Sequence, residues 1–492
     1  MSSPHADGSA ESVPPAAYFQ IDPRVNGDAF SGRPRNIHRP EEIAEFSYDE
    51  NHDIHLDARS LSYYYPPQPR GVENHIYLDK GLESFRQLDD SQDGHLSGLL
   101  TAIMDMEQKQ NAKTDAHFIA YRGMIANLLT MPYQKIDGWT MNATYFDGTI
   151  FIEEDKGAKF ERKAREEDQS PAQKRRETLQ YYYGFKFETL YTIPDIWDNV
   201  SRDEIESRDD KIVSNYAQYC SIVKTGVGDM NIVIGGEVDC IWDDKIPGAK
   251  YHNYVELKTT EWIDEAHLPR GEIKRKLLNY DRRKIKYWAQ SFLIGCPTII
   301  VAKKDTDGQV HMPLEVFKTN SIPTAIRNTS GLWNSVVCVQ TLSAFLEWLQ
   351  SYIKGSTGMW KLTKKPGMAP ICLSHFTPTG TGQILTPSFK AHRIAMQAAR
   401  VSRSPSAEGE HVGEEKDKMD TDEVEKRPSA EGEHVGEEKN KMDTDEVEKR
   451  PSAEGEHVGE DKEKMDTAEV EKHPSAEGKN GDEGGDTMDM EA

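Results

Sequence analysis

The sequence predicts an α/β protein of the α+β kind, with mixed β-sheets flanked by helices and an acidic C-terminal tail outside the fold. Three observations carry that prediction. Apolar positions recur at helical spacing in some stretches and as short β-branched runs in others, and the two kinds alternate along the chain. Every Phe, Trp and Tyr lies before residue 405, which confines the material for a core to the preceding body. Charge divides the same way: of a net −24, residues 405–492 hold −19, from 31 acidic and 12 basic side chains, leaving −5 for the body.

Taken in order, residues 1–40 are rich in Pro, Gly, Ser and Asn and are predicted to be mobile, with order beginning near EIAEFSYDE. LDARSLSYYYPPQPRG ends in a Pro-rich turn. From Ser97 to Leu129 the apolar positions have helical spacing, above all in LSGLLTAIMDMEQ. DGWTMNATYFDGTIFIEE alternates as two short strands around an Asp-Gly turn. Residues 154–177 read as loop and helix cap, followed by a helix through LQYYYGFKFETLYT and a polar connection containing IWDNV. Three strand-like runs come next (NYAQYCSIVKTGVG, MNIVIGGEVDCIW and YHNYVELKTT), then a basic helix, GEIKRKLLNYDRRKIKYWAQSFLIG, and a buried strand, CPTIIVAKK. These elements make one domain over 41–400.

Residues 401–492 form a predicted disordered tail. From Pro405 the unit PSAEGEHVGEEKDKMDTDEVEKR recurs every 23 residues, without Leu, Ile, Phe, Trp, Tyr or Cys to bury. Composition also excludes some classes. No apolar run approaches the roughly 20 residues that span a bilayer, and the N-terminus lacks the regions of a signal peptide, so a soluble intracellular protein is expected. The five cysteines include no CxxC pair, which points to reduced thiols rather than zinc. A slightly acidic body does not suit charge-driven coating of nucleic acid, so any nucleic acid must be gripped locally.

Chemistry concentrates in residues 235–260. Glu237 and Asp239 are one residue apart in one apolar run, and Glu256 and Lys258 one apart in the next. On strands, such pairs project from one face. A turn through Pro247 and Gly248 would bring both pairs together, and carboxylates so crowded need a cation. Oxygen ligands suit Mg²⁺ or Mn²⁺, with a lysine to stabilise developing negative charge. Partly exposed, salt-bridged strands fit the same pattern. Glu188 in GFKFE could add a fourth carboxylate or be a surface glutamate. Gln290 in WAQSFL fits a site or a helix surface, and Arg122 in YRG fits a phosphate or a structural ion pair.

YRG, GFKFE, GEVDC, VELKT and WAQSFL occur in that order over most of the body, with FSYDENHDIHLDARSLSYYYPP upstream. In these motifs the chain resembles the DXO-type decapping nuclease family, and in YYYPP its nuclear branch, which binds the main nuclear 5′-to-3′ exoribonuclease. The resemblance implies a Glu/Asp-x-Lys nuclease core. By motif, Glu188, Glu237, Asp239 and Glu256 would bind one or two Mg²⁺ or Mn²⁺ ions, with the backbone carbonyl of Leu257 as a further ligand. Glu237, Lys258 and Gln290 would meet the scissile phosphate or the attacking water. Tyr121, Arg122 and Gly123 would hold RNA phosphates, and Cys220 would line the RNA path.

The implied activity is metal-dependent hydrolysis of RNA 5′ ends in the nucleus. It would act on 5′-triphosphates, incompletely methylated caps and NAD caps, and leave 5′-monophosphate RNA. Ile196 and Trp197, an apolar pair with no obvious core partner, are expected at the exoribonuclease contact; a Trp covering its own loop fits them equally. The chain departs from the family at His52, where animal members carry arginine, and in the repeat tail. Two other readings stand beside the first: a non-catalytic scaffold for the exoribonuclease, and a DNA endonuclease of the same superfamily, which would leave the other motifs unexplained.

Overall fold

A computed structural model of the chain describes residues 16–21, 35–67, 76–89, 94–158, 160, 170–376 and 383–403. The chain divides into Met1–Gly409 and Glu410–Ala492, and every described residue lies in the first unit; the repeat tail is outside them.

Among the described residues there are two sheets. The larger runs from edge to edge through β1 (Ala17–Phe19), β16 (Ile371–Phe376), β15 (Met359–Lys364), β6 (Trp139–Phe146) and β7 (Thr149–Glu154), then β5 (Phe118–Tyr121), β10 (Met230–Glu237), β9 (Gln218–Val227), β2 (Glu41–Tyr48) and β3 (Ile54–His55). The smaller runs through β14 (Val310–Lys318), β13 (Thr298–Lys304), β12 (Tyr254–Glu261), β11 (Cys240–Ile241), β4 (Tyr63–Tyr64) and β8 (Thr192–Ile193). Both mix parallel and antiparallel pairs, as the alternation of elements predicts.

The helices are α1 (Ser97–Gln110), α2 (Arg122–Thr130), α3 (Pro171–Tyr191), α4 (Arg202–Glu206), α5 (Arg270–Leu293), α6 (Ile322–Asn328), α7 (Ser335–Ile353) and α8 (Pro387–Arg403). Apolar residues of α2, α5 and α7 join residues of both sheets in one core. Leu99, Ile103 and Phe389 of α1 and α8 pack on the other face of the larger sheet, and Tyr182, Tyr183 and Phe187 of α3 on the smaller one. Local chemistry sets the boundaries: Ser170 accepts from the Gln173 N–H and Pro171 starts α3, while Asp147 and Gly148, both at positive φ, make the tight turn between β6 and β7.

Four expectations change. Helix α3 begins at Pro171, so residues 171–177 of the stretch read as loop and helix cap are helical. The Ser97–Leu129 stretch is not helical throughout, because Phe118–Tyr121 forms β5, paired in parallel with β7 and β10. A strand buried on both faces reads as an unbroken apolar run, and four residues are too few to show a period. Within the segment predicted to be mobile, Ala17–Phe19 adds to the edge beside β16, and Phe19 packs edge-to-face on Phe345 at 5.3 Å. Finally, Glu237 and Asp239 do not share a strand. β10 ends at Glu237, and after Val238 and Asp239 the chain enters β11 in the other sheet.

Candidate active site

The crossover at Val238–Asp239 places acidic groups where the two sheets meet. Glu237 closes β10, opposite Cys220 of β9. β11 pairs antiparallel with β12, Cys240 opposite Val255, which sets Glu256 and Lys258 on the neighbouring strand. The Leu257 N–H donates to Asp239 Oδ2 at 2.7 Å, fixing that carboxylate against β12. Lys258 Nζ lies 2.6 Å from Glu256 Oε1 and 3.6 Å from Asp239 Oδ2. Arg122 Nη1 donates to Glu256 Oε2 at 3.0 Å, so Glu256, only 1% exposed, is held between two cations.

Glycines let these parts approach. A Cβ at Gly236 would stand 2.9 Å from Ile294 Cδ1 and 3.0 Å from Arg122 Cβ, so only glycine admits both against β10. Gly123 differs: a Cβ there would meet nothing within 4 Å, so packing does not require it. It lies in the first turn of α2, whose N-cap, Tyr121, offers no side-chain cap. Free N–H groups and the helix dipole there favour an anion.

The electrostatics follow from burial. Burial first, then Asp239, pushes Glu237 up to about 7. Burial, with Asp239 and Glu237, raises Glu188 well above the usual carboxylate range, and burial and Glu256 raise Asp239 despite the pull of Lys258. Burial would raise Glu256 as well, but Arg122 and Lys258 overcome it and hold the carboxyl low. Burial pulls Lys258 down, and Asp239 and Glu256 more than restore it, so its ammonium stays charged. Four carboxylates thus feel one another's charge, and that of Lys258, across the junction of the two sheets.

That donor set is all oxygen and carries excess negative charge, which fits a hard divalent cation. Among the described residues no three His, Cys, Asp or Glu side chains are drawn together closely enough to hold a metal. Glu256 faces Arg122 and Lys258, and Asp239 faces the Leu257 N–H and Lys258.

The other predicted residues fall as follows. Glu188, half-buried near the end of α3, lies near enough to the acid cluster for Asp239 and Glu237 to help raise its carboxyl. Gln290 lies on α5 between Tyr287, whose hydroxyl reaches the Thr259 carbonyl at 3.5 Å, and Ile294, which touches Gly236, so it shares their face. Cys220 is buried, its thiol pushed up by burial and then by Glu237. Tyr121 uses its hydroxyl to accept from the Leu99 N–H at 3.3 Å, so that group serves the fold. Leu257 buries its side chain beneath α3. Trp197 is 63% exposed and, with Ile196, lines a separate surface groove beside Tyr64, Trp242 and Ile246. Sequence reasoning missed one neighbour, Tyr48; His52, the position already noted as departing from the family, lies at φ 66° and stacks on it at 4.1 Å.

Comparison with known proteins gives three findings. The profile of a family described as RAI1 like PD-(D/E)XK nuclease matches residues 38–390. Curated relatives include the decapping nuclease RAI1 of Neurospora crassa, 40% identical over 80% of this chain and 91% of the relative, and that of Aspergillus fumigatus, 41% identical over 73% and 94%. Similar solved structures include Candida albicans Rai1 in complex with pU5-Mn²⁺, at TM-score 0.69 and 27% identity, covering 78% of this chain and 100% of that one. Scheffersomyces stipitis Rai1 in complex with (3′-NADP)⁺ and calcium ion matches at TM-score 0.66 and 28% identity, covering 73% and 96%.

Proposed function

This chain belongs to the RAI1-like PD-(D/E)XK nuclease family, and from that premise we propose that it is a divalent-metal-dependent hydrolase of RNA 5′ ends. Its substrates would be 5′-triphosphate, incompletely methylated cap and NAD cap, its product 5′-monophosphate RNA, and its setting the nucleus. The observation that carries the reading is the meeting of Glu188, Glu237, Asp239, Glu256, Lys258 and Arg122 where the two sheets join. Relatives crystallised with pU5-Mn²⁺, (3′-NADP)⁺ and 3′-FADP support the substrate class.

Glu188, Glu237, Asp239 and Glu256, with the Leu257 carbonyl, would hold Mg²⁺ or Mn²⁺, which when bound polarises the phosphate and lowers the pKa of a bound water. Lys258 keeps its proton, so it stabilises charge on the scissile phosphate and does not act as the base. Arg122 and the open start of α2 would hold an RNA phosphate, with Gly123 leaving the backbone within reach. Gln290, on the cleft face of α5, would orient the attacking water, and Cys220 would line the path beside Glu237.

The test incubates purified protein and Mn²⁺ or Mg²⁺ with 5′-triphosphate, unmethylated-cap, NAD-capped and 5′-monophosphate RNA, beside duplex DNA. Release of pyrophosphate or of the cap group by wild type, lost in Glu237→Ala/Asp239→Ala, is the expected result. No reaction on any RNA end overturns the proposal, and an equal rate from the double variant overturns the site.

A second reading, stabilisation of a nuclear 5′-to-3′ exoribonuclease, is favoured by one observation. Trp197 is 63% exposed in an aromatic groove where Trp242 stacks on Tyr64 at 4.9 Å. Trp197→Ala should weaken co-purification with the exoribonuclease; unchanged recovery sinks that contact.

A further inference from the structure

A second polar cluster joins the two sheets behind the acid site, and the proposed activity makes no use of it. Glu42 of β2 accepts from Ser221 Oγ of β9 at 2.5 Å and from the Tyr254 hydroxyl of β12 at 2.6 Å. Its other oxygen faces Lys245 Nζ at 2.9 Å and His252 Nε2 at 3.2 Å, both from the connection between β11 and β12. The Tyr219 hydroxyl donates to Glu45 at 2.8 Å and meets the Tyr254 hydroxyl at 2.9 Å, while Lys245 also reaches Glu45 and Tyr219. Glu42 and Lys245 are about nine-tenths buried, and Tyr219, Tyr254 and His252 more so.

Its members come from both sheets. Glu42, Glu45, Tyr219 and Ser221 belong to the larger sheet; Lys245, His252 and Tyr254 belong to β12 or lead into it. Each half lies next to the acid site. Ser221 pairs with Gly236 and Cys220 with Glu237, while Tyr254 precedes Glu256 by two residues on the same face of β12. The acids themselves are split, Glu237 on one sheet and Glu256 and Lys258 on the other. Within the acid site the Val238–Asp239 crossover and the Arg122–Glu256 pair tie the two sides, while the carboxylates repel one another. The cluster adds a second tie between the sheets: one buried carboxylate that accepts from Ser221 and Tyr254 and faces the Lys245 ammonium and the His252 ring.

We propose that Glu42 is a positioning residue, and that its clasp with Lys245, His252, Tyr254 and Ser221 sets the separation of Glu237 from Glu256 and Lys258 that metal binding needs. This rests on the proposed function, and the test separates the two. Mn²⁺ binding is measured by titration calorimetry on the folded, RNA-free protein, so no turnover is read. Wild type is expected to bind, and Glu42→Gln, which keeps the shape but loses the charge facing Lys245 and His252, to bind about 10-fold more weakly. Tyr254→Phe removes one hydroxyl, and with it the link from β12 to Glu42 and the contact with Tyr219, keeps the charges of the clasp, should fold if Glu42→Gln does not, and should bind several-fold more weakly. A purely structural clasp would lower the melting temperature of these variants and leave the Mn²⁺ affinity of the folded fraction unchanged. Affinity within twofold of wild type in whichever variant folds therefore overturns the inference while the proposed function stands. Absence of binding by wild type overturns both.

Discussion

Arg122 holds Glu256 and, under the proposed function, would also hold an RNA phosphate, two partners that cannot both have it in full. Its guanidinium lies 3.0 Å from Glu256, at the head of α2, where an RNA phosphate would also be held. Lysine carries the charge but not the planar fork, so Arg122→Lys should keep part of the RNA affinity, while Arg122→Ala should lose roughly 10²–10³-fold in kcat/KM. Equal kcat/KM for Arg122→Ala and wild type in a pyrophosphate-release assay would count against the role. Glu42 makes a separate prediction. Burial would raise its carboxyl, but His252, Lys245, Ser221 and Tyr254 hold it down to about 2 from an ordinary 4.5. A depressed carboxyl contributes stability that is full above pH 4.5 and fades as pH falls toward 2, here about 3 kcal/mol. Urea unfolding of wild type against Glu42→Gln across pH 5 to 3 should show the gap narrowing; a constant gap would refute it. The acids and Lys258 were legible because charge inside β-branched runs is costly and therefore conspicuous. The Arg122–Glu256 pair was not, because 134 residues separate the two and no local pattern encodes which charge meets which.

At the scale of elements, period and turn chemistry were enough for α1, α3, α5, the β6–β7 hairpin and β9, β12 and β13, each long enough to repeat its pattern. The crossover at Asp239 was hidden because Val238 and Cys240 continue the apolar run of β10, so a change of sheet leaves no mark in composition. Helix α8 shows a different kind of information. Arg393, fully buried, meets Glu107 of α1 through Nε at 2.9 Å and Nη2 at 2.7 Å, and Asp147 through Nη1 at 3.1 Å. His392 reaches the same Glu107 at 2.9 Å. Arg393→Met should therefore leave a buried carboxylate short of its main partner and cost about 3 kcal/mol by urea denaturation. Replacing Glu107 with leucine in that background should recover part of the loss; no recovery would mean that α8 is held by its apolar contacts alone.

The described residues form two sheets with helices packed against them, and the acid site lies where one chain segment passes from sheet to sheet. A cation bound there would contact residues of the larger sheet, the smaller sheet and α3 together, so binding and global stability must be linked. For a ligand that binds only the folded state, a concentration 100 times its Kd adds about 2.7 kcal/mol. Spread over the unfolding entropy of a body this size, that is a rise in Tm on the order of 4 °C. Mn²⁺ should produce it in calorimetric scans of the wild type, and Glu237→Ala/Asp239→Ala should abolish it. The double variant also removes two raised carboxyls whose charges repel, so without metal it should be as stable as wild type or more so, despite losing the Leu257–Asp239 hydrogen bond. Trp197→Ala, altered in the separate groove, should keep the full shift. A shift surviving in the double variant would place the cation elsewhere, and no shift in wild type would mean that the acids hold their charge without it.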